Sequence, residues 1–168
     1  MSDFSRRATA WALSRLGLPY VWGANGLVTW TLKGLVPTRT LALCDEAYDC
    51  AGLVKAAVHG IGGPDVRATW NCQTLWDSLP QATLGEPRRL KLYGPDVAHV
   101  KHVAIELGGG YQLEAAGGDS TTTSYTHALR RGARVTVRDE QHARSDLLGY
   151  RSFAAMQFLP NLRVPKTN

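Results

Sequence analysis

The sequence predicts an α+β domain in which helices pack on one side of a central antiparallel sheet. Apolar residues recur at helical spacing in the first half of the chain, and short runs that alternate apolar and polar residues follow in the second half. Helices that precede a series of short strands are typical of this class. The 168 residues suit a single domain. We expect its core over about residues 3–153 and a C-terminal tail over 154–168.

Three helices are predicted, over about 3–16, 50–59 and 69–79, because apolar residues repeat there every three or four positions. Asp49 is a natural N-cap for the second helix, since its carboxylate can accept hydrogen bonds from the first free amides. The stretch 27–47 shows no clear period. We expect it to form a loop or a flap.

Five strands are predicted from period-two alternation, and Gly108–Gly110 marks a hairpin between the second and the third. Short turns of this kind join neighbouring antiparallel strands, so the predicted sheet is antiparallel. The predicted strands cover about 90–93, 101–107, 111–115, 133–138 and 148–153.

Charge and composition exclude several classes of protein. The net charge of +5 favours anionic partners in general, but the basic residues are scattered along the chain. The sequence contains no helix-turn-helix, zinc-finger or aromatic ribonucleoprotein motif. We therefore expect no nucleic acid partner. No apolar run approaches a membrane span or a secretory signal. We expect a monomer that is cytoplasmic when made and does not insert into membranes.

The three cysteines, Cys44, Cys50 and Cys72, form no CxxC pair. This pattern argues against a disulfide framework and against a structural zinc site. At least one thiol is expected to be free, and a Cys44–Cys72 bridge stays open as an alternative. We expect no metal and no organic cofactor.

Cys50 is the first candidate for chemistry, because it lies in the first turn of the predicted helix behind Asp49. Unpaired amides and the positive end of the helix dipole stabilise a thiolate at that position. Gly52 would allow another backbone or a ligand to approach closely. The alternative is that Cys50 is a small buried apolar residue, as free cysteines often are.

His102 is the candidate base among the five histidines. It stands at the start of the apolar run of residues 103–105 in a predicted strand, where a polar imidazole is unexpected unless it has a function. The alternative to a catalytic role is a structural one, in which the ring is hydrogen-bonded to a backbone carbonyl. The other four suit a helix end or polar turns. They are His59, His99, His127 and His142.

Glu114 is the candidate third residue, and its position depends on the length of the glycine turn. A three-residue turn pairs Ala104 with Glu114 and places its carboxylate on the same face as His102. There it could orient the imidazole and leave the second ring nitrogen for Cys50. A two-residue turn would place it on the opposite face. A solvated strand carboxylate is the alternative.

Three ordered segments resemble the signatures of the NlpC-type cell-wall peptidases, a papain-like family: LGLPYVWG at 16–23, YDCAGLV at 48–54 and HVAIELG at 102–108. The resemblance implies a papain-like fold with the nucleophile at a helix N-terminus. It implies that Cys50 is the nucleophile and His102 the base. Residues assigned to oxyanion stabilisation or substrate positioning are Tyr20, Trp22 and Asp49.

The implied substrate is the stem peptide of bacterial peptidoglycan, cut next to D-glutamate, commonly at the bond to the following diamino acid. Three features depart from the family pattern. Ala51 replaces the common serine, Glu114 stands where histidine is often found, and residues 27–47 are longer than the usual link, as a substrate-covering flap or a specificity loop would be.

The resemblance favours a phage setting, because residues 114–121 and 133–138 look like phage-encoded members. We expect an endolysin released through a holin, or a tail-associated lysin. The alternatives are a cell-wall amidase effector injected by another bacterium, an acyltransferase on the same fold and a catalytically inactive wall-binding module.

Overall fold

A computed structural model describes residues 3–27, 46–142 and 144–159. The described helices are α1 (Asp3–Leu13), α2 (Cys50–Gly60), α3 (Cys72–Ser78) and α4 (Tyr125–Arg131). The described strands are β1 (Asn25–Leu27), β2 (Glu46–Tyr48), β3 (Leu90–Tyr93), β4 (His102–Gly108), β5 (Tyr111–Ala116), β6 (Arg134–Asp139) and β7 (Leu147–Arg151).

The main sheet has five antiparallel strands in the order β6-β5-β4-β3-β7. Strands β3 to β6 follow one another across the sheet, and β7 returns to pair with β3 at the far side. Strands β1 and β2 form a separate two-stranded ribbon. The sequence prediction of an α+β domain with an antiparallel sheet is confirmed.

Helix α2 lies at the centre of the molecule and contacts α1 on one side and β4 and β5 on the other. Its residues Cys50 to Val58 are all buried, as expected for a helix enclosed by neighbours. Small buried residues of α1, such as Ala8 and Ala12, let the two helices approach closely. The helix predicted over about 3–16 ends at Leu13, and Leu16 beyond it is 48% exposed.

The hairpin between β4 and β5 combines a two-residue turn with a β-bulge. Gly108 pairs with Tyr111, so only Gly109 and Gly110 form the turn, and the register then shifts between Glu106 and Gly108. Beyond the bulge Glu106 pairs with Gln112, which is the register that a three-residue turn would produce. The sequence left the turn length open. The turn has two residues, yet from Glu106 inward the register is that of the three-residue alternative, because of the bulge.

The predicted flap at 27–47 lies mostly outside the described residues. The described part of the predicted tail includes a 3-10 helix at Ala154–Phe158, and its Met156 is fully buried, so the packed region extends past residue 153. Helix α4 was not predicted. Among the described helices, none is long and apolar enough to cross a membrane.

Candidate active site

Cys50 is the first residue of α2, and Asp49 holds that end of the helix in place. Asp49 Oδ1 accepts a hydrogen bond from the Gly52 amide at 2.5 Å, and Oδ2 accepts one from the Gly23 amide at 2.9 Å. Burial and the neighbouring Cys50 raise the pKa of Asp49 to about 6. Asp49 thus ties the nucleophile helix to the loop that carries Tyr20 and Trp22.

Gly52 lets this loop lie directly on the helix. A Cβ atom at position 52 would lie 1.9 Å from the carbonyl oxygen of Ala24, and that same oxygen accepts a hydrogen bond from the Asp49 amide at 2.9 Å. No side chain fits between the helix and the loop. The close backbone approach predicted from the sequence is confirmed.

His102 is the first residue of β4 and is buried beside the Tyr93 ring, with the ring centroids 5.8 Å apart. Its Nε2 atom lies 2.5 Å from Oε2 of Glu114. The imidazole also interacts electrostatically with Cys50, which helps to raise the pKa of the ring. Because Nε2 is taken by Glu114, Nδ1 is the ring nitrogen that serves the sulfur.

Glu114 is only 2% exposed, and strand alternation places it with His102 on the face opposite to the apolar Val103 and Ile105. Its second oxygen, Oε1, lies 3.2 Å from Nε of Arg138, an ionic contact without hydrogen-bond geometry. Burial opposes the charge, but the His102 hydrogen bond and the Arg138 charge still hold the pKa of Glu114 below its ordinary value.

Electrostatics favour a thiolate–imidazolium pair between Cys50 and His102. Burial works against a charged imidazole, yet hydrogen bonds to Cys50 and Glu114 raise the pKa of His102 to about 9. The pKa of Cys50 is lowered well below its ordinary value, first by a hydrogen bond from Cys72 and then, against the cost of burial, by His102. The thiolate is the nucleophilic form of cysteine.

Cys72 is a residue of the site that sequence reasoning missed. Its Sγ atom lies 3.5 Å from Sγ of Cys50, and both thiols are free and buried. The hydrogen bond to Cys50 and burial raise the pKa of Cys72 well above its ordinary value, so Cys72 is the donor. Cys44 lies outside the described residues, and the alternative of a Cys44–Cys72 bridge stays untested.

An open cleft of about 580 Å³ leads to these groups. Tyr20 and Trp22 line one part of it, and Trp22 is 51% exposed there. Burial and the nearby Cys50 raise the pKa of Tyr20, so its hydroxyl stays protonated and can donate. Lys101 and Arg144 bring positive charge to the cleft wall.

The cleft also receives free amides at the start of α2. The Gly52 amide donates to the side chain of Asp49, and the Leu53 amide donates to the Asp49 carbonyl. In the described part of the chain, no acceptor is found for the amides of Cys50 and Ala51. Donors of this kind can stabilise an oxyanion that forms beside the sulfur.

All six residues predicted for the site lie at this cleft or directly behind it. His102 is hydrogen-bonded to Glu114 and interacts electrostatically with Cys50, whereas Asp49 has both oxygens committed to backbone amides. The remaining histidines, which are His59, His99, His127 and His142, are exposed. Within the described ranges, no cluster of three or more His, Cys, Asp or Glu side chains could hold a metal ion.

Comparison with known proteins adds relatives of one kind. No family model matches the sequence. The peptidoglycan endopeptidase RipB of Mycobacterium tuberculosis is 32% identical over 112 residues, which cover 66% of this chain and 42% of RipB. This chain therefore matches less than half the length of that curated relative.

Solved structures show the same fold. The structure of RipB, described as a peptidoglycan hydrolase, superposes with a TM-score of 0.55 at 24% identity and covers 88% of this chain and 63% of that chain. RipD from the same species, described as a non-catalytic NlpC/p60 domain protein adapted to peptidoglycan binding, gives a TM-score of 0.54 at 20% identity over 89% of this chain and 96% of that chain.

Proposed function

We propose that this chain, which belongs to the NlpC/p60 family, is a cysteine peptidase that hydrolyses an amide bond in the peptide part of bacterial peptidoglycan. One observation carries the proposal above all. Cys50, at the start of a buried helix, lies at an open cleft together with His102, whose Nε2 atom is hydrogen-bonded to the buried Glu114.

The proposed reaction begins with attack of the Cys50 thiolate on the carbonyl carbon of the scissile amide. The negative oxygen of the tetrahedral intermediate accepts hydrogen bonds from the Cys50 amide and the Tyr20 hydroxyl. His102, protonated on Nδ1, gives that proton to the departing amine and leaves an acyl-enzyme. Glu114 accepts the Nε2 hydrogen bond and holds the ring in the orientation that these transfers need.

A water molecule completes the reaction. Neutral His102 removes a proton from the water through Nδ1, the hydroxide attacks the thioester carbonyl, and the acid product leaves as the Cys50 thiolate returns. Side chains of this chain carry out every proton transfer in these proposed reaction steps.

We further propose that the bond cut lies between D-glutamate and the diamino acid, and that the chain acts as a phage endolysin or tail-associated lysin. The family signatures at 16–23, 48–54 and 102–108 support the first statement. The second is supported by the likeness of residues 114–121 and 133–138 to phage-encoded members. Mass spectrometry of the fragments released from purified peptidoglycan names the bond.

RipD shows that this fold also occurs in non-catalytic proteins, so the test must separate catalysis from binding. We expect purified peptidoglycan to be solubilised by the protein and not by a Cys50→Ala variant. The variant should still sediment with insoluble peptidoglycan, because the alanine removes only the sulfur from the cleft. Equal rates of solubilisation by the two proteins would contradict the assignment of Cys50.

A further inference from the structure

We propose that Cys72 is a resolving thiol, which captures an oxidised Cys50 as a reversible Cys50–Cys72 disulfide and thereby switches the site off. The thiol chemistry depends only on the two sulfur atoms. Its regulatory consequence, loss and recovery of peptidase activity, rests on the proposed function.

The two sulfurs are already close enough for this reaction. They lie 3.5 Å apart, and a disulfide bond is about 2.05 Å long, so a closure of about 1.5 Å is needed. Side-chain rotation at the first turns of α2 and α3 can supply much of that movement. In the hydrolytic reaction proposed above, Cys50 alone bonds to the substrate, and Cys72 serves only as a hydrogen-bond donor to its thiolate.

Hydrogen bonds at the start of α3 and just before it hold Cys72 at this distance from Cys50. Asn71 caps the helix by accepting a hydrogen bond from the Thr74 amide at 2.9 Å. The buried Lys55 of α2 donates to the carbonyls of Arg67 and Trp70 at 2.9 and 2.6 Å, which fixes the chain just before Cys72.

Gln73 then ties the start of α3 to the segment that precedes His102. Its Nε2 donates to the Val97 carbonyl at 3.0 Å, and its Oε1 accepts from the Val100 amide at 2.9 Å. The second thiol is therefore anchored to both elements that carry the Cys50–His102 pair. A thiol in this position meets the nucleophile in every molecule, whereas an external thiol must first enter the cleft.

The proposed oxidant is a hydroperoxide, which is small enough for the cleft. The Cys50 thiolate attacks one oxygen of hydrogen peroxide, the O–O bond breaks, and Cys50 sulfenic acid and hydroxide form. The Cys72 thiol then loses its proton and attacks the Cys50 sulfur. The S–O bond breaks, the departing hydroxide takes up that proton as water, and the S–S bond forms.

Without a second thiol, the sulfenic acid is open to further peroxide and becomes sulfinic acid, which is not reversed by thiols. With Cys72 at 3.5 Å, disulfide formation competes with that step inside the site. An external dithiol reverses the disulfide by exchange and restores the Cys50 thiolate. The second thiol thus makes oxidation of the Cys50 nucleophile reversible, whereas without it the loss is permanent.

Mass spectrometry tests the proposal without any peptidase assay. Trypsin places Cys44 and Cys50 together in residues 40–55 and Cys72 in residues 68–88, so all proteins compared should carry Cys44→Ser. We expect hydrogen peroxide to yield a protein about 2 Da lighter, with these two peptides cross-linked, and dithiothreitol to reverse the change. A wild-type site that gains about 32 Da of sulfinic acid and no cross-link would overturn the proposal.

Cys72→Ser is the matched variant, since it keeps the size of the side chain and removes the second sulfur. After peroxide and then dithiothreitol, we expect at least about tenfold less recovered Cys50 thiol in Cys72→Ser than in the parent protein. Equal recovery in the two proteins contradicts a resolving role. Circular dichroism checks that the variant is folded, and the cross-link in the parent protein stands independently of it.

The two proposals fail separately. A protein that forms the cross-link and leaves peptidoglycan intact supports the resolving thiol and contradicts the proposed function. A protein that digests peptidoglycan and forms no cross-link supports the function and refutes the resolving thiol.

Discussion

Glutamine in place of Glu114 keeps the shape of the side chain and removes the charge that faces His102. The carboxylate oxygen lies 2.5 Å from Nε2, and both groups are buried. With charge centres about 4 Å apart and an effective dielectric constant of about 20, the attraction is roughly 4 kcal/mol, or about three pKa units. Arg138 already offsets part of that charge, so we expect the pKa of His102 to fall from about 9 by one to two units, roughly.

The assay is the pH dependence of kcat/KM on soluble stem-peptide fragments, combined with the rate of Cys50 alkylation by iodoacetamide. Loss of the imidazolium proton sets the alkaline limb of the activity profile, because the leaving amine needs that proton. In Glu114→Gln this limb should move to lower pH by about one to two units, and kcat/KM at pH 8 should fall by about two- to tenfold. The acid limb of alkylation should not move upward, because the imidazolium keeps its full charge below its pKa and a negative neighbour has been removed.

Glu106→Gln is the matched control. Glu106 lies on β4, the strand of His102, and accepts two hydrogen bonds from Arg89, at 2.6 and 2.7 Å, so this substitution also breaks a partly buried ion pair. It should lower stability and leave both limbs in place. An alkaline limb of Glu114→Gln that coincides with that of the parent protein would refute the role given to the carboxylate.

Three further predictions concern the frame of the site. Gly52→Ala forces a Cβ atom against the Ala24 carbonyl and should lower the free energy of unfolding by about 3 kcal/mol or more. This loss corresponds to a fall in Tm of about 6–12 °C, and an unchanged Tm contradicts the close approach. Lys55→Met leaves the carbonyls of Arg67 and Trp70 without their donor and should lower the free energy of unfolding, measured with urea, by about 2–3 kcal/mol. A urea midpoint equal to that of the parent protein contradicts this. Asp49 is expected to bind its proton more tightly in the folded protein, because its pKa is raised from 3.8 to about 6. The stability of the parent relative to Asp49→Asn should therefore fall by about 1–3 kcal/mol as pH rises from about 4 to about 6, and a flat difference contradicts the raised pKa.

The sequence was sufficient to predict the main elements because their signals are local. Period-two alternation predicts β3 at its observed bounds, and a polar cap followed by apolar residues predicts the start of α2 at Cys50. Helix α4 was missed because Ala128 is its only buried residue among those described, so it has no apolar stripe.

Glu114 illustrates where local reasoning ends. Its face depends on the turn and on any bulge near it, and a bulge leaves no clear signature in the short run from Glu106 to Gly108. The same-face position was tied to a three-residue turn, and the structure reaches the same register with a two-residue turn. Two differences, a shorter turn and an extra bulged residue, cancel.

Cys72 was missed although a local signal exists. Asn71 precedes it as Asp49 precedes Cys50, and both polar residues cap a helix that begins with cysteine. What the sequence lacks is the distance between the two helix starts, which Lys55 and Gln73 set through long-range hydrogen bonds.

The bulge beside Leu107 also changes how this hairpin should be aligned with related chains. Because turn and bulge compensate each other, relatives can gain or lose a residue at the tip and keep the carboxylate beside the imidazole. A gap in an alignment therefore belongs between Glu106 and Tyr111, and never between His102 and Ile105 or between Gln112 and Glu114. Spacing counted across the whole hairpin will misplace the third residue of the site, whereas spacing counted inward from the Glu106–Gln112 pair will find it.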